Sequence, residues 1–290
     1  MPNEPTDQDD QNNPANAEDI DAAATVAGAP TAAVEPDRIS PDDFARRLTE
    51  ELNAFDRDLS HPNQTPREAA TLIIIDRAAG PPKILLGRRH TRHKFMPGKF
   101  VFPGGRVEPA DRTVAAANEF DPRVSARLRA RMRRPSPAKS RAFAIAAIRE
   151  TFEETGLMLG ASGVAWSGAG AGEAPWTQFA AQNVCPDLSA MHFIARAITP
   201  PRRPRRFDTR FFALDAEAIA FRVDGVVGPD AELVELVWMP LSEAEQLEIP
   251  PITKAVLGEL EHRIACGFDH SLPVPFYRWI GRRFTRSLID

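Results

Sequence analysis

The chain has 290 residues, of which 43% are apolar, so it can form one large domain or two small ones with a sizeable core. Its formal net charge is −4, yet residues 1–60 hold 15 acidic and 4 basic residues, which leaves a basic remainder that suits a polyanionic substrate. No run of about 18 apolar residues occurs, so we expect no membrane partner. Cys185 and Cys266 have neither metal nor redox spacing, which fits a reducing cytoplasm.

The chain begins with a polar segment. Residues 1–40 are rich in Asp, Asn, Ala and Pro without apolar periodicity, so we expect a disordered acidic tail and no signal peptide. At Ser40-Pro41-Asp42-Asp43, a capping serine, a proline and two acids predict a helix start, and the helix is expected to run to about Phe55. Residues 41–65 are therefore interpreted as an N-terminal helix and linker, followed by one domain of residues 66–290.

Strands and further helices are predicted after the linker. The β-branched run Ala69–Ile75 predicts a buried strand, and Lys83–Arg88 is expected to return beside it after a Gly-Pro turn. Asp121-Pro122 predicts the start of a helix to about Arg133, which we interpret as a solvated helix over the site mouth. The other predicted elements are strands at Leu157–Leu159, Met191–Ile198 and Glu232–Trp238 (Val234, Leu236 and Trp238 on one face), helices at Trp176–Val184, Leu241–Leu247 and Thr253–Ala265, and a tail, Pro273–Asp290, that packs back on the domain.

A glycine turn and an acidic helix carry the chemical signal. Gly104 and Gly105 predict a tight turn that brings the backbone close to a ligand. Glu150, Glu153 and Glu154 stand at helical spacing, so their carboxylates crowd one face at a cost of about 0.2–0.5 kcal/mol for each like-charged pair. A Mg²⁺ ion, which prefers oxygen ligands, explains this crowding. A solvated acidic face would explain the charges alone, but not the glycine turn before them.

These residues resemble the Nudix box, the signature of the Nudix hydrolases. The second half of the box matches at every polar and glycine position, and only Thr151 replaces a usual aliphatic residue. In the first half, Asp111 replaces the usual Glu, and residues 112–148 form a long insertion where the family has a short spacer. The matching residues are Gly105, Arg149, Glu150, Glu153, Glu154, Gly156 and Leu157.

An insertion at this place is similar to that of one branch of coenzyme A diphosphatases. A motif upstream of the box in that branch also matches, although three of its positions differ. The matching residues are Leu85, Leu86, Arg89, Gly98 and Phe102–Gly105, while Gly87, His90 and Lys94 replace Thr, Ser and Arg.

The resemblance implies an α/β fold, the Nudix α/β/α sandwich around a mixed β-sheet. It also implies hydrolysis of a nucleoside diphosphate linked to another moiety, here coenzyme A or acyl-coenzyme A, to phosphopantetheine and adenosine bisphosphate products. Mg²⁺ or Mn²⁺ would be held by Glu150, Glu153, Glu154 and the Gly105 carbonyl, and Arg149 would orient the glutamates. The expected substrate contacts are Arg89, Lys94, Gly98, Gly104 and Arg206. Arg205 and Arg210 are further phosphate contacts to consider, and Glu232 or Glu235 are candidates for the general base.

Three alternatives remain open at this point. The box does not encode the leaving moiety, so an ADP-ribose or nucleoside-diphosphate-sugar pyrophosphatase is the runner-up. A non-hydrolysing nucleotide-binding regulator would not need the intact glutamates. Binding to nucleic acid is not expected, because no aromatic residues interleave the arginines of the insertion and the tail is acidic. A small diphosphate is the partner that the residues favour, and they do not encode the oligomeric state.

Overall fold

The computed structural model describes residues 41–54, 60–92, 96–164, 166, 174–281 and 283–290. The predictions for the acidic tail 1–40, for Phe55 and for Lys94 therefore lie outside the described residues. Within the described residues, no helix has both the length and the apolar character that crossing a bilayer requires.

A mixed sheet with helices on both faces confirms the predicted α/β fold. Its strands run in the order β11-β2-β1-β9-β8-β12-β13, and two short strands attach to this path, β3 to β2 and β4 to β1. The bounds of these strands are β1 Arg67–Asp76, β2 Lys83–Arg89, β3 Phe100–Val101, β4 Gly104–Arg106, β8 His192–Ile198, β9 Phe207–Asp215, β11 Leu233–Pro240, β12 Val274–Ile280 and β13 Arg283–Ile289. The strands of two small separate sheets are β5 Leu157–Leu159 with β10 Ile219–Arg222, and β6 Ala161–Ser162 with β7 Val184–Cys185.

Five α-helices accompany these strands among the described residues. The first starts at the predicted proline, and the 3-10 turns lie where the chain enters or leaves a strand. The helices are α1 Pro41–Ala54, α2 Pro122–Arg129, α3 Pro137–Thr155, α4 Trp176–Ala181 and α5 Pro251–Ala265, and the 3-10 turns are Pro109–Arg112, Ala216–Ala218 and Leu241–Gln246.

Strand β1 lies between two hydrophobic cores. Leu72 and Ile74 belong to the core under α3, whereas Ile73 and Ile75 belong to the core under α5. Because successive side chains of a strand point to opposite faces, a continuous apolar run is what a strand buried on both faces requires.

The glycine turn is held on β1 rather than in a free loop. Strands β1 and β2 pair only near their hairpin, at Ile75 with Ile84 and at Asp76 with Lys83. The earlier part of β1 pairs with β4, where Ala70 lies opposite Gly105 and Thr71 lies opposite Gly104. The sheet thus fixes the backbone of both glycines beside α3.

The insertion builds part of the domain around α3. Its helix α2 ends at Arg129, earlier than predicted, because residues 130–136 turn to start α3. Val124 and Leu128 of α2 are buried, and α2 packs against α3 and β8. The prediction of a helix over the site mouth was therefore wrong, because β8 lies two strands away from β1.

Two other predictions needed correction. The segment predicted as a helix at Leu241–Leu247 is a 3-10 turn over Leu241–Gln246, and the helix that begins at Trp176 ends at Ala181 before a short strand.

Leu236 and Trp238 lie on one face of β11 with Glu235 on the other, as predicted. Trp238 is 41% exposed because β11 is an edge strand of the sheet, while Leu233 is fully buried. An irregularity in the pairing of β11 with β2 between Leu233 and Glu235 shifts the alternation by one residue.

The C-terminal segment packs on the domain, as predicted, by extending the sheet. Strand β12 runs parallel to β8, and β13 returns antiparallel to β12. The buried Glu259 of α5 accepts hydrogen bonds from the Tyr277 hydroxyl at 2.5 Å and from Arg286 Nε at 2.7 Å. These bonds join the hairpin to the helix beneath it.

Candidate active site

The last two turns of α3 carry three carboxylates to the glycine turn. The Glu150 side chain is 18% exposed and that of Glu154 is mostly buried, whereas Glu153 is 41% exposed. A Cβ atom on Gly105 would lie 2.2–2.4 Å from the Glu150 carboxylate, so only glycine permits this approach. The Gly104 amide donates to Glu154 Oε2 at 3.1 Å. The turn therefore contacts two of the three carboxylates with its backbone.

Arg149 connects the two halves of the box. Its Nε donates to Asp111 Oδ1 at 3.0 Å, and its Nη2 donates to the Arg106 carbonyl at 2.9 Å. Its Nη1 donates to Glu150 and to Glu153, each at 3.0 Å. Both Arg149 and Asp111 are buried. Asp111 and Arg149 therefore lie in one compact site, although 37 residues separate them in the chain.

Burial makes these carboxylates costly to ionise. It raises the pKa of Glu150 and of Glu153, in each case against the opposing effect of Arg149. Burial also raises the pKa of Glu154 to about 8, and the nearby Glu232 carboxylate adds to this effect, while the hydrogen bond from Gly104 opposes it. The cluster holds more negative charge than the neighbouring cations neutralise, which favours a bound cation.

The donor set suits a hard divalent ion. Among the described residues, no three His, Cys, Asp or Glu side chains converge closely enough to hold a metal ion by themselves. Mg²⁺ is commonly held by one or two carboxylates together with substrate phosphates, so such a group is not required. Glu150 and Glu154, beside the Gly104-Gly105 backbone, fit this mode of binding, and Glu153 lies at the exposed side.

A second ion pair lies beside the glutamates. Arg89, at the end of β2, donates to Glu232 Oε1 at 2.5 Å. Glu232 raises the pKa of Glu154, and Arg89 lowers it, so both side chains are close to that carboxylate. Sequence reasoning named Arg89 and Glu232 separately, but their contact depends on the pairing of β2 with β11.

Glu235 is arranged differently from Glu232. It pairs with Arg88, whose Nε lies 2.7 Å from Glu235 Oε2. Arg88 and Arg89 are adjacent in β2, so their side chains point to opposite faces of the sheet. Glu235 is therefore on the face away from the glutamates.

Gly98 lies in a turn that leads back to Arg89. Its φ is +69°, which favours glycine, and Met96 in the same turn has a φ of 53°. The Arg89 amide donates to the Lys99 carbonyl at 3.0 Å, so the turn is attached to the end of β2. A contact between Gly98 and substrate stays a prediction.

The arginines before and within β9 are not gathered at the glutamates. Arg206 donates to the Thr199 carbonyl, to Asn63 Oδ1 and to the Gln64 carbonyl, and so holds two loops together. Arg210 is buried, pairs with Asp208 and stacks over the Phe143 ring at 3.9 Å. A phosphate contact by Arg210 was therefore a wrong expectation, because strand alternation turns it into the core.

Comparisons with known proteins agree with this geometry. A model of the NUDT19 Nudix domain matches residues 66–248. The chain is 35% identical to the acyl-coenzyme A diphosphatase NUDT19 of Gallus gallus over 129 residues, which are 33% of each protein. It is 28% identical to the putative nudix hydrolase 7 of Caenorhabditis elegans over 160 residues, or 51% of this chain and 44% of that protein. The match thus spans less than half of these curated relatives.

A solved structure gives a longer match. The crystal structure of a Nudix hydrolase from Alicyclobacillus acidocaldarius aligns with a TM-score of 0.53 and 30% identity, covering 72% of this chain and 97% of that one. Nudix hydrolases act on diphosphate bonds and generally need a divalent metal ion. Because the family model covers more than half of the sequence and the box residues meet in one site, the chain belongs to the Nudix hydrolase family and resembles its NUDT19 members.

Proposed function

We propose that the chain hydrolyses the diphosphate of coenzyme A or an acyl-coenzyme A, with Mg²⁺ or Mn²⁺, to phosphopantetheine and adenosine bisphosphate products. The observation that carries hydrolysis is the contact of Arg149 with Asp111, Glu150 and Glu153 beside the glycine turn. The motif around Arg89 and Gly98 and the similarity to the chicken acyl-coenzyme A diphosphatase support the coenzyme A part.

In this proposal the three box glutamates hold the ion. Glu150 and Glu154 are the inner ligands, Glu153 the outer one, and the Gly105 backbone lies against Glu150. When bound, a divalent ion supplies positive charge that stabilises the negative charge developing on the phosphoryl oxygens. Arg149 orients Glu150 and Glu153 and opposes the rise in their pKa, since a guanidinium can donate several fixed hydrogen bonds at once.

Glu232 is the residue that we assign as the general base. Its side chain is 43% exposed, and its carboxylate is held toward the glutamates by Arg89. A base needs access to the attacking water and a fixed position, and Glu232 has both. Glu235 faces the other side of the sheet and is not assigned this role.

Arg89 is assigned to the extra phosphate of coenzyme A. Coenzyme A carries a 3′-phosphate in addition to its diphosphate, and a charge-assisted hydrogen bond to it contributes about 1.5–3 kcal/mol. Arg89→Gln also removes the ion pair that holds Glu232, so we expect it to lower kcat/KM for both substrates. The loss for coenzyme A should exceed the loss for the dephospho form by roughly tenfold or more. Product mass spectrometry in the presence of Mg²⁺ measures both reactions.

The neighbouring arginine gives a matched control. Arg88 also lies near the end of β2 and also pairs with a glutamate, but its side chain is on the opposite face of the sheet. Arg88→Gln should therefore leave kcat/KM unchanged for both substrates. Equal losses on the two substrates in Arg89→Gln, or faster turnover of ADP-ribose by the native enzyme, would favour the ADP-ribose pyrophosphatase instead.

A further inference from the structure

One end of the central sheet brings several chain segments side by side. At this end β1 and β9 begin, with Arg67 opposite Phe207, and the β12–β13 hairpin turns, with Ile280 opposite Arg283. Four strand spacings separate β1 from β13, which is roughly 19 Å. We call this surface the basic end and define it by five of its exposed arginines, Arg67, Arg133, Arg134, Arg205 and Arg283.

Three of the segments that meet at the basic end contain several arginines and no acidic residue. Residues 199–207 hold four arginines and no acid, and residues 278–286 also hold four arginines and no acid. Residues 129–141, between α2 and α3, hold five arginines, one lysine and no acid. Lys139 Nζ lies 2.9 Å from the Arg133 carbonyl and 2.6 Å from Glu68 Oε1, which attaches this segment to the start of β1.

The five arginines of the basic end have no acidic partner among the described residues. No side chain of the five makes a hydrogen bond or an ion pair with any residue that the structure describes, whereas Arg77, for example, pairs with Asp215 at 2.6 Å. Of the acids nearest to this end, Glu68 pairs with Lys139, and the half-buried Asp208 pairs with Arg196 at 2.7 Å. The described residues therefore do not neutralise the positive charge of the basic end, and this charge is available to an external anion.

An apolar residue lies among these arginines. Ile280 is 45% exposed at the turn of the hairpin, next to the strand that starts at Arg283. Basic residues that surround an exposed apolar side chain are typical of surfaces that bind anionic bilayers. A surface for nucleic acid would offer aromatic rings for base stacking, but Trp279 packs edge-on against Phe284 at 5.5 Å.

We propose that the basic end docks the protein on an anionic phospholipid bilayer, with the arginines at the headgroup phosphates and Ile280 in the interfacial layer. The formal net charge of the chain is −4, so attraction to an anionic surface has to come from a local patch of this kind. Arg67 lies three residues, or about 10 Å, before Ala70, which pairs with Gly105. Docking would bring the glycine turn close to the bilayer.

Sedimentation with vesicles of phosphatidylcholine, with and without phosphatidylserine, tests this proposal on the full chain. The native protein should bind only the vesicles with phosphatidylserine, and added salt should weaken binding. Replacing Arg205 and Arg283 together by Gln should weaken binding roughly 25-fold, since each arginine near such a surface contributes about fivefold. Both side chains are exposed, so thermal unfolding should be unchanged.

A matched double variant controls for net charge. Arg123 and Arg222 are exposed and lie outside the basic end, so Arg123→Gln with Arg222→Gln should bind vesicles like the native protein. Ile280→Ser should weaken binding without changing its salt dependence. Equal binding by the two double variants, or no vesicle binding at all, would overturn the proposal. Tighter binding of single-stranded RNA than of vesicles, lost in the Arg205 and Arg283 variant, would identify a nucleic-acid surface instead.

Discussion

The guanidinium of Arg149 is the contact on which the candidate site depends. It is buried with Asp111 on one side and with two of the box glutamates on the other. These contacts raise its pKa further above its usual range, although burial alone would lower it. Because the guanidinium of Arg149 stays charged, it offsets the repulsion between Asp111, Glu150 and Glu153 in the folded protein.

Glu154 gives the most direct test of the proposed hydrolysis. It is buried and accepts one hydrogen bond, from the Gly104 amide. Glu154→Gln keeps the size and an acceptor but removes the charge that would hold a divalent ion, so we expect kcat to fall by about a hundredfold or more with folding intact. Steady-state hydrolysis and thermal unfolding measure the two effects. Full activity of the native protein in excess chelator would contradict the role assigned to Glu154.

Gly105 provides a test of position rather than charge. In Gly105→Ala the new Cβ would meet the Glu150 carboxylate at 2.2–2.4 Å, so the carboxylate has to move away. We expect weaker Mg²⁺ binding and lower kcat, with a smaller change in the free energy of unfolding. Gly228→Ala is the matched control, because a Cβ at Gly228 would contact nothing within 4 Å. Equal effects of the two variants on Mg²⁺ binding would count against the proposed site.

At the level of elements, the capped N-terminus of α3 lies far from the glutamates near its C-terminus. Ser136 caps the helix by accepting from the Lys139 amide at 3.1 Å, and Gly156 ends it with a φ of +75°. Thr151, which replaces the usual aliphatic residue of the box, is buried and donates to the Ala147 carbonyl at 2.7 Å. A hydroxyl at this position is tolerated because the helix itself supplies its acceptor.

The cap of α3 should affect stability without affecting chemistry. Ser136→Ala removes the acceptor for the Lys139 amide and should lower the free energy of unfolding by about 1 kcal/mol. Glu150 lies about 20 Å along the helix from this cap, so kcat should not change. Urea unfolding and an activity assay on the same variant check both statements. A fall in kcat without a fall in stability would show that the insertion acts on the site directly.

At the scale of the whole molecule, a half-buried ring stack links stability to pH. His192 of β8 stacks on Phe268 and on His270, each at 3.9 Å between ring centroids. Burial lowers the pKa of His192 to about 3, and the neighbouring His270, Arg263 and Arg77 lower it further, while Asp215 opposes them. The charged form is therefore disfavoured in the folded state.

This stack predicts a loss of stability in acid. The folded pKa of His192, about 3, is below the unfolded value of about 6.5, so the folded state binds fewer protons between these pH values. The contribution of the neutral His192 to the free energy of unfolding is complete above about pH 6.5. As the pH falls toward 3 this contribution is lost, by up to about 1.4 kcal/mol per pH unit. The variant His192→Phe keeps a ring but cannot take up the proton. Urea unfolding of both proteins at several pH values should show the native protein losing more stability in acid than the variant, and parallel profiles would refute the assignment.

The local features of this protein could be predicted from its sequence because they depend on spacing alone. The β-branched run at Ala69–Ile75 predicts a strand buried on both faces, and the cap and proline at Ser40-Pro41 predict the start of α1. The helical period places Glu150 and Glu154 on one face, since residues four apart in a helix are neighbours in any fold. These predictions needed no contact between distant parts of the chain.

The tertiary structure decided which distant groups meet. Arg149 reaches Asp111 across 38 residues, and the pairing of β2 with β11 brings Arg89 to Glu232. The position of β11 at the edge of the sheet exposes Trp238, and the alternation of β9 turns Arg210 into the core. Strand register changes the face of every following side chain, and it depends on the partner strand rather than on the strand's own residues. For this reason the sequence determined the identity of the acidic helix and its glycine turn, and only the assembled sheet decided which cations lie beside them.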